Sequence, residues 1–279
     1  MTAANGTPEA NWLSHRSNPE TPASGPGEDW VTPIVDEYLQ EARDFRPAGA
    51  VHTHPPRILV LYGTLRPKGF SKLLAFECAR ILEALGAEVR TFDPLGLPVR
   101  DPEIQEHSKV VELRQLVYWS EAHVWAASEL HGNLCGTFKN QIDWIPLNSG
   151  SVRPTQGKAV AVLQVCGGSQ SFNVVNTLRL LARWMRMACV VNQSSVQKAW
   201  KEFDDDGRMK ESSMRERVVD VMEEFIKFAR INREYSDLLT SRYSERKEKE
   251  EKGRLLTQAE KETAKDAALE NAKKEKANE

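Results

Sequence analysis

The residues best suited to chemistry crowd into one stretch, Gly63 to Ser71, which reads GTLRPKGFS. It combines two glycines, the hydroxyls of Thr64 and Ser71, and the cations Arg66 and Lys68. An unbroken apolar run, Ile58 to Tyr62, precedes it, and an amphipathic pattern from about Lys72 to Leu85 follows. A continuous apolar run of that length suits a strand buried on both faces of a parallel sheet. Strand, polar turn and helix in this order aim main-chain amides and a positive helix terminus at one point, which attracts a phosphate. Thr64 and Ser71 would donate hydroxyl hydrogen bonds and Arg66 a charge-assisted pair. The same order also describes an ordinary turn with Ser71 as helix cap, and both readings stand at this point. The Walker pattern and GxGxxG are both absent, so the phosphate fitting best is a monophosphate.

Two further loops share this composition, SELHGNLCG from Ser128 and CGGSQSF from Cys166. Each follows an apolar strand pattern, and in open parallel sheets ligands bind beyond the carboxyl ends of strands. Gly132, Gly167 and Gly168 would let main chain approach a flat ring closely, or are simply turn glycines. His131 either bonds a ligand or caps the helix expected from Gly136. Paired carboxylates, a Ser-His-Asp order and a metal-ligand cluster are not evident. The His-x-His at His52 and His54 lies in a Pro-rich arm and is not read as a metal site; no metal is expected. The reactive group would therefore be a cofactor that the protein positions.

The elements that must hold these loops follow from periodicity. Strands are predicted at Glu88 to Phe92, His123 to Ala127, Ala159 to Val165 and Ala188 to Val191. Helices are predicted at about Lys109 to Trp119, Gly136 to Ile145, Phe172 to Met187 and Ser213 to Arg233. The alternation specifies an α/β domain with a doubly wound, five-stranded parallel sheet and helices on both faces. That domain spans residues 55–240. Residues 1–54 form an extension, largely extended or disordered. Within it Trp30 to Phe45 has helical spacing, suiting an arm docked on a neighbouring subunit or on its own domain. Residues 241–279 turn to Lys, Glu and Ala, giving a helical or disordered charged tail. The chain has 279 residues and a net charge of −2, so no global basic field invites nucleic acid. Its four cysteines lack CxxC spacing and suit a reducing cytoplasm. Neither a bilayer-spanning run nor a signal peptide is found, so a cytoplasmic protein without membrane partners is expected.

The stretches HPPRILVLYGTLR, HGNLCGTFKNQIDWIPL, VRPTQGKAVAVLQVCGGSQSFN, LARWMRM, NQSSV and EFDDDGRMK resemble ArsH, the arsenical-resistance flavoproteins. These belong to the NADPH-dependent FMN reductases with a flavodoxin-like fold, and the resemblance covers about His54 to Tyr243. It implies FMN as cofactor and NADPH as electron donor. Thr64, Leu65, Arg66, Phe70 and Ser71 would surround the FMN phosphate. Ser128, Glu129, Leu130, His131 and Gly132 would line the ribityl and isoalloxazine. Cys166, Gly167, Gly168, Ser169 and Gln170 would lie along the ring's other side. The resemblance further implies hydride transfer to flavin N5, with no protein side chain identified as catalytic. Small-molecule electron acceptors follow: quinones, azo dyes, metal ions, dioxygen, and the oxidation of trivalent organoarsenicals in arsenical resistance. A homotetramer is implied. A flavin-holding electron carrier or arsenical-sequestering protein without turnover is the alternative.

The chain departs from the family pattern in the second loop. Where the family has a motif resembling SPERHGxxTG, this chain has Ala127-Ser128-Glu129-Leu130-His131-Gly132 and then Cys135-Gly136. Ser128 replaces a proline, Leu130 an arginine and Cys135 a hydroxyl residue. Loss of the arginine bears on the nucleotide and the substrate rather than on the flavin. Cys135 and Cys166 are the candidate contacts for trivalent arsenic, against the reading of Cys as a small buried apolar residue.

Overall fold

Strand β1 (Arg57–Tyr62) is buried from Ile58 onward, as its unbroken apolar run requires of a central strand. A computed structural model describes residues 27–148 and 153–277; the part of the N-terminal extension before Gly27 lies outside the described residues. β1 pairs in parallel with β2 (Glu88–Phe92), matching Arg57 to Glu88, and with β3 (Ala122–Leu130), matching Ile58 to Ala122. A two-residue strand, β4 (Asn133–Leu134), folds back antiparallel on β3. β5 (Ala159–Val165) joins β3 with Ala122 opposite Ala159. Beyond β5 lie two short parallel pieces, β6 (Ala188–Cys189) and β7 (Ser194–Val196). The order β2-β1-β3-β5-β6, with β7 also on β5, is the doubly wound flavodoxin-like arrangement. Strand order reverses at β1 and β3, so their carboxyl ends flank the crevice where such folds bind ligands.

Alternation along β1, β3 and β5 feeds two cores, one on each face of the sheet. Ile58, Val60, Val124, Ala126, Ala161 and Leu163 face one layer, with α3 (Phe70–Ala84) and α8 (Ser213–Thr240). Leu59, Leu61, Trp125, Val160 and Val162 face the other, with α4 (Ser108–Trp119), α5 (Gly136–Trp144) and α6 (Asn173–Trp184). The arm Trp30 to Phe45 forms α1 (Val31–Tyr38) and α2 (Gln40–Asp44), which bury Val31, Val35, Leu39 and Ala42 in the first core. It docks on its own domain.

Several boundaries differ from the sequence-based expectation, among them the end of α6 at Trp184 rather than Met187. β3 runs on to Leu130, because its last residues gain a partner in β4. The fifth strand is broken: Val190 stays buried but Val191 is 86% exposed, and pairing with β5 resumes only at Ser194. The last core helix extends past Arg233 to Thr240, and the charged tail forms α9 (Tyr243–Lys252) and α10 (Gln258–Ala277). A four-residue helix, α7 (Ala199–Glu202), follows β7.

Candidate active site

The first loop is built to present an open helix start. Helix α3 has Gly69 as its N-cap, and no side chain caps it. Ser71 therefore is not the cap; it sits fully buried inside the first turn and accepts a hydrogen bond from Ser128 Oγ at 3.0 Å. Thr64 Oγ1 accepts from the Arg66 amide at 3.1 Å and presses on Gly69 so closely that a Cβ there would lie 2.4 Å from it. Glycine at 69 is thus a packing requirement of the turn. Lys68 is tied to the Asp205 carbonyl, and Phe70 stacks on Phe203. The guanidinium of Arg66 is exposed and makes no hydrogen bond or ion pair among the described residues. Leu65 is exposed beside it.

The second loop is a hairpin tip. Leu130 pairs with Asn133, leaving His131 (φ 52°) and Gly132 (φ 71°) as its two turn residues. Positive φ at both positions is the mark of a type I′ turn. His131 does not cap α5, whose N-cap is Cys135. The Cys135 thiol is buried and donates to the Gly63 carbonyl at 3.1 Å, and a Cβ on Gly63 would fall 2.6 Å from that sulfur. Ser128, Ser71, Gly63 and Cys135 therefore lock the first two loops together at the reversal of strand order. Leu130 is 58% exposed at the tip, while Glu129 accepts from Gln164 Nε2 at 3.1 Å.

The third loop is held from behind by β7. The Cys166 amide donates to the Val196 carbonyl, the Lys198 amide to the Gly168 carbonyl, and the Gln170 amide to Gln197 Oε1. Cys166 is buried with its thiol facing the Ser169 and Val196 carbonyls, and that burial raises its pKa. Gly167, Gly168, Ser169 and Gln170 are exposed, and a Cβ added at either glycine would meet no protein atom within 4 Å. The rim adjoins a cavity of about 730 Å³ lined by Gln170, Phe172, Asn176, Arg179, Ser195 and Arg217, among others.

Several residues that shape the site escaped the sequence reading. Gln164, fully buried, donates to Glu129 and to the Ser171 carbonyl and accepts from the Val175 amide. It thereby fixes the second loop relative to the third. Ser195 Oγ donates to the same Ser171 carbonyl at 2.5 Å. Lys198, with a left-handed backbone (φ 45°), turns the chain under Gly168. The lone amide inside the apolar run AVAVLQV was the one local signal for Gln164; a buried amide needs partners on all sides.

The three loops thus present a helix start without a side-chain cap, a guanidinium with no partner among the described residues, and bare glycine main chain at the carboxyl ends of β1, β3 and β5. That set fits a phosphate joined to a flat ring. Fold and site together define a flavodoxin-like mononucleotide-binding protein. Comparison with known proteins makes the class specific. The family model for NADPH-dependent FMN reductases matches residues 56–201. A relative in Acidithiobacillus ferrooxidans, named NADPH-dependent FMN reductase ArsH, is 56% identical over 221 residues, covering 78% of this chain and 93% of the relative. The protein of the same name in Rhizobium meliloti is 59% identical over 210 residues, covering 75% of this chain and 86% of its own length. The solved structure of FerB, a flavoenzyme NAD(P)H:(acceptor) oxidoreductase from Paracoccus denitrificans, shares the fold. It has a TM-score of 0.51 at 19% identity, spanning 62% of this chain and 98% of that one. This chain belongs to the NADPH-dependent FMN reductases, in their ArsH group. Its cofactor is FMN and its electron donor NADPH. Among the described residues, no helix is long and apolar enough to cross a membrane.

Proposed function

We propose that the FMN phosphate sits at the start of α3 and that the ring lies across the second and third loops. Thr64, Arg66 and Ser71 hold the phosphate, with Leu65 and Phe70 flanking it. Ser128 to Gly132 line one side of the ribityl and ring, and Cys166 to Gln170 the other. The observation that carries this reading is the helix start without a side-chain cap beside Arg66, which has no partner among the described residues, together with the open glycines 167 and 168 at the end of β5. FMN held there would supply hydride acceptance from NADPH and onward electron transfer. The chain's own part is to position the ring and to place main-chain amides where negative charge gathers on reduction. The loops carry no acceptor-specific group, and electrons go to quinones, metal ions, azo dyes or dioxygen. Trivalent organoarsenicals are the substrates oxidised in arsenical resistance, and a Cys135→Ser, Cys166→Ser double variant with undiminished organoarsenical oxidation removes both thiols from arsenic contact.

The assembly is a homotetramer, consistent with the exposed apolar side chains Leu130, Phe172, Leu180, Trp184, Val191 and Trp200. The location is cytoplasmic, consistent with four free cysteines. The test is spectroscopic and kinetic. Purified protein is expected to show the absorbance of oxidised flavin, to bleach with NADPH under anaerobic conditions, and to turn over with a quinone. Bleaching without turnover would assign the chain to electron carriage; absence of flavin from refolded, FMN-supplemented protein would overturn the site. Light scattering on the eluted protein reads the tetramer directly.

A further inference from the structure

At the opposite edge of the sheet, residues far apart in sequence converge on a second cluster. His52 and His54, two residues apart in extended chain, are joined by Glu121, which leads into β3; one ligand atom from each lies within 4.8 Å of the others. The cluster is built, not incidental. Glu234 of α8 accepts the amides of Val51 and His52, and Arg233 donates to the carbonyls of His52 and His54. These bonds pin the His-x-His segment to α8. Glu121 commits Oε2 to the Arg57 amide and to Arg233, which leaves Oε1 facing His54 Nε2 at 3.3 Å.

The tautomer makes that contact informative. His54 Nδ1 lies 2.8 Å from the Pro55 carbonyl, which can only accept, so Nδ1 carries the ring proton. Nε2 is then the ring nitrogen turned toward the carboxylate oxygen Oε1 of Glu121. His52 Nδ1 is similarly 3.0 Å from Glu234 Oε2, shielded from water yet out of hydrogen-bond alignment. Two ligands of one tetrahedral zinc ion stand about 3.3 Å apart, given zinc–ligand bonds of about 2.0–2.1 Å. A ring nitrogen held by a backbone carbonyl behind and a carboxylate in front is a metal-ligand arrangement.

We propose that His52, His54 and Glu121 bind a borderline divalent cation, zinc foremost. Both histidine side chains are 35% exposed, so water completes the coordination. The six residues of β1 put this site about 20 Å from the flavin loops. The ion is structural: it fastens the segment before β1 to β3 and α8 and takes no part in electron transfer.

The test uses full-length, FMN-loaded protein stripped with chelator and dialysed against zinc alone, with metal and flavin counted together. One zinc per chain is expected, with affinity falling more than tenfold in a His52→Ala, His54→Ala double variant whose flavin content and NADPH–quinone turnover are unchanged. Zinc should raise the melting temperature of the parent and leave that of the double variant unmoved. Glu121→Gln, which keeps an acceptor for the Arg57 amide, should also weaken zinc. A parent that binds no zinc would overturn the proposal. So would equal zinc uptake by parent and double variant.

Discussion

The two edges of one sheet are organised in opposite ways. At the carboxyl edge, α3 starts without a side-chain cap, Arg66 has no partner among the described residues, and Gly167 and Gly168 face open space. At the amino edge, polar groups are joined to one another. Arg233 bonds two carbonyls and Glu121, Glu234 takes two amides, and half-buried Lys158 donates to the Val117 carbonyl at 2.5 Å. The same three strands, β1, β3 and β5, carry both arrangements. Hydrogen bonds left open where the chain leaves a strand are available to a ligand, whereas those closed where it enters hold the fold.

Substitutions of one residue type at the two edges should therefore separate stability from binding. Arg233→Ala is expected to have the largest effect, because it removes donors to His52, His54 and Glu121 together and leaves a half-buried carboxylate short of its cation. A loss of about 2–4 kcal/mol is expected in denaturant unfolding of the apoprotein. The FMN affinity of the remaining folded protein should be unchanged. Arg66→Ala is the mirror experiment. It should raise the FMN dissociation constant about 10- to 100-fold, the worth of a charge-assisted phosphate contact. The unfolding midpoint of the apoprotein should stay where it was, since the Arg66 side chain makes no hydrogen bond or ion pair among the described residues and its backbone bonds survive the substitution. A destabilised Arg66→Ala apoprotein, or loss of flavin from folded Arg233→Ala, would erase the distinction between the edges.

How legible each edge was in the sequence follows from what determines it. The strands Glu88–Phe92 and Ala159–Val165 were readable to the residue because Asp93-Pro94 and Cys166-Gly167 end them locally. The three carboxyl-edge loops were readable for the same reason: each holds its glycines and donors in one contiguous stretch. The fifth strand was not, since Ser194, Ser195 and Val196 belong to the sheet only through register with Leu163, Gln164 and Val165. Nothing in a Ser-Ser pair announces that. The amino-edge cluster was invisible for a stronger reason. His52 meets Glu234 across 182 residues, and His54 meets Glu121 only because β3 runs beside β1. The Pro-rich neighbourhood of His52 and His54 describes only the local chain; Glu121 and Glu234 reach them through the topology.

The amino edge also contains a group whose protonation the fold opposes. His123 is fully buried; its Nε2 meets Ser120 Oγ at 2.9 Å, and its Nδ1 accepts from Trp125 Nε1 at 3.3 Å. Because Ser120 Oγ donates to the Val117 carbonyl, the neutral ring with its proton on Nε2 satisfies every partner. A second proton on Nδ1 would face the Trp125 donor. Burial, with Lys158 adding to it, holds the His123 pKa well below the ordinary value of 6.5. The unfolded chain therefore binds a proton that the folded chain refuses, and stability falls as pH drops through about 6.5. One such group contributes a slope of up to about 1.4 kcal/mol per pH unit below that point. Unfolding of apoprotein between pH 7 and 5 should show it, and His123→Gln should flatten the profile while lowering stability at pH 7. A profile unchanged by the substitution would mean that other groups set the acid limit.

The smallest expected effect tests the carboxyl edge at its one departure from the family pattern. Leu130 stands at the exposed hairpin tip, one residue before the two positive-φ turn residues, where the family motif resembles an arginine position. Leu130→Arg adds a cation at the exposed tip, where the nucleotide is its expected partner. An exposed charge of this kind is worth about 0.4–1 kcal/mol, or roughly a two- to fivefold lower KM for NADPH with kcat unchanged. The gain should shrink in about 0.5 M salt, where the screening length falls to roughly 4 Å. NADH, which lacks the 2′-phosphate, gives the sharper comparison. A gain for NADPH alone places that phosphate beside the hairpin tip, whereas equal gains for both would assign the charge to the shared pyrophosphate. No gain for either would mean that the tip, unlike the groove behind it, lies outside the nucleotide's reach.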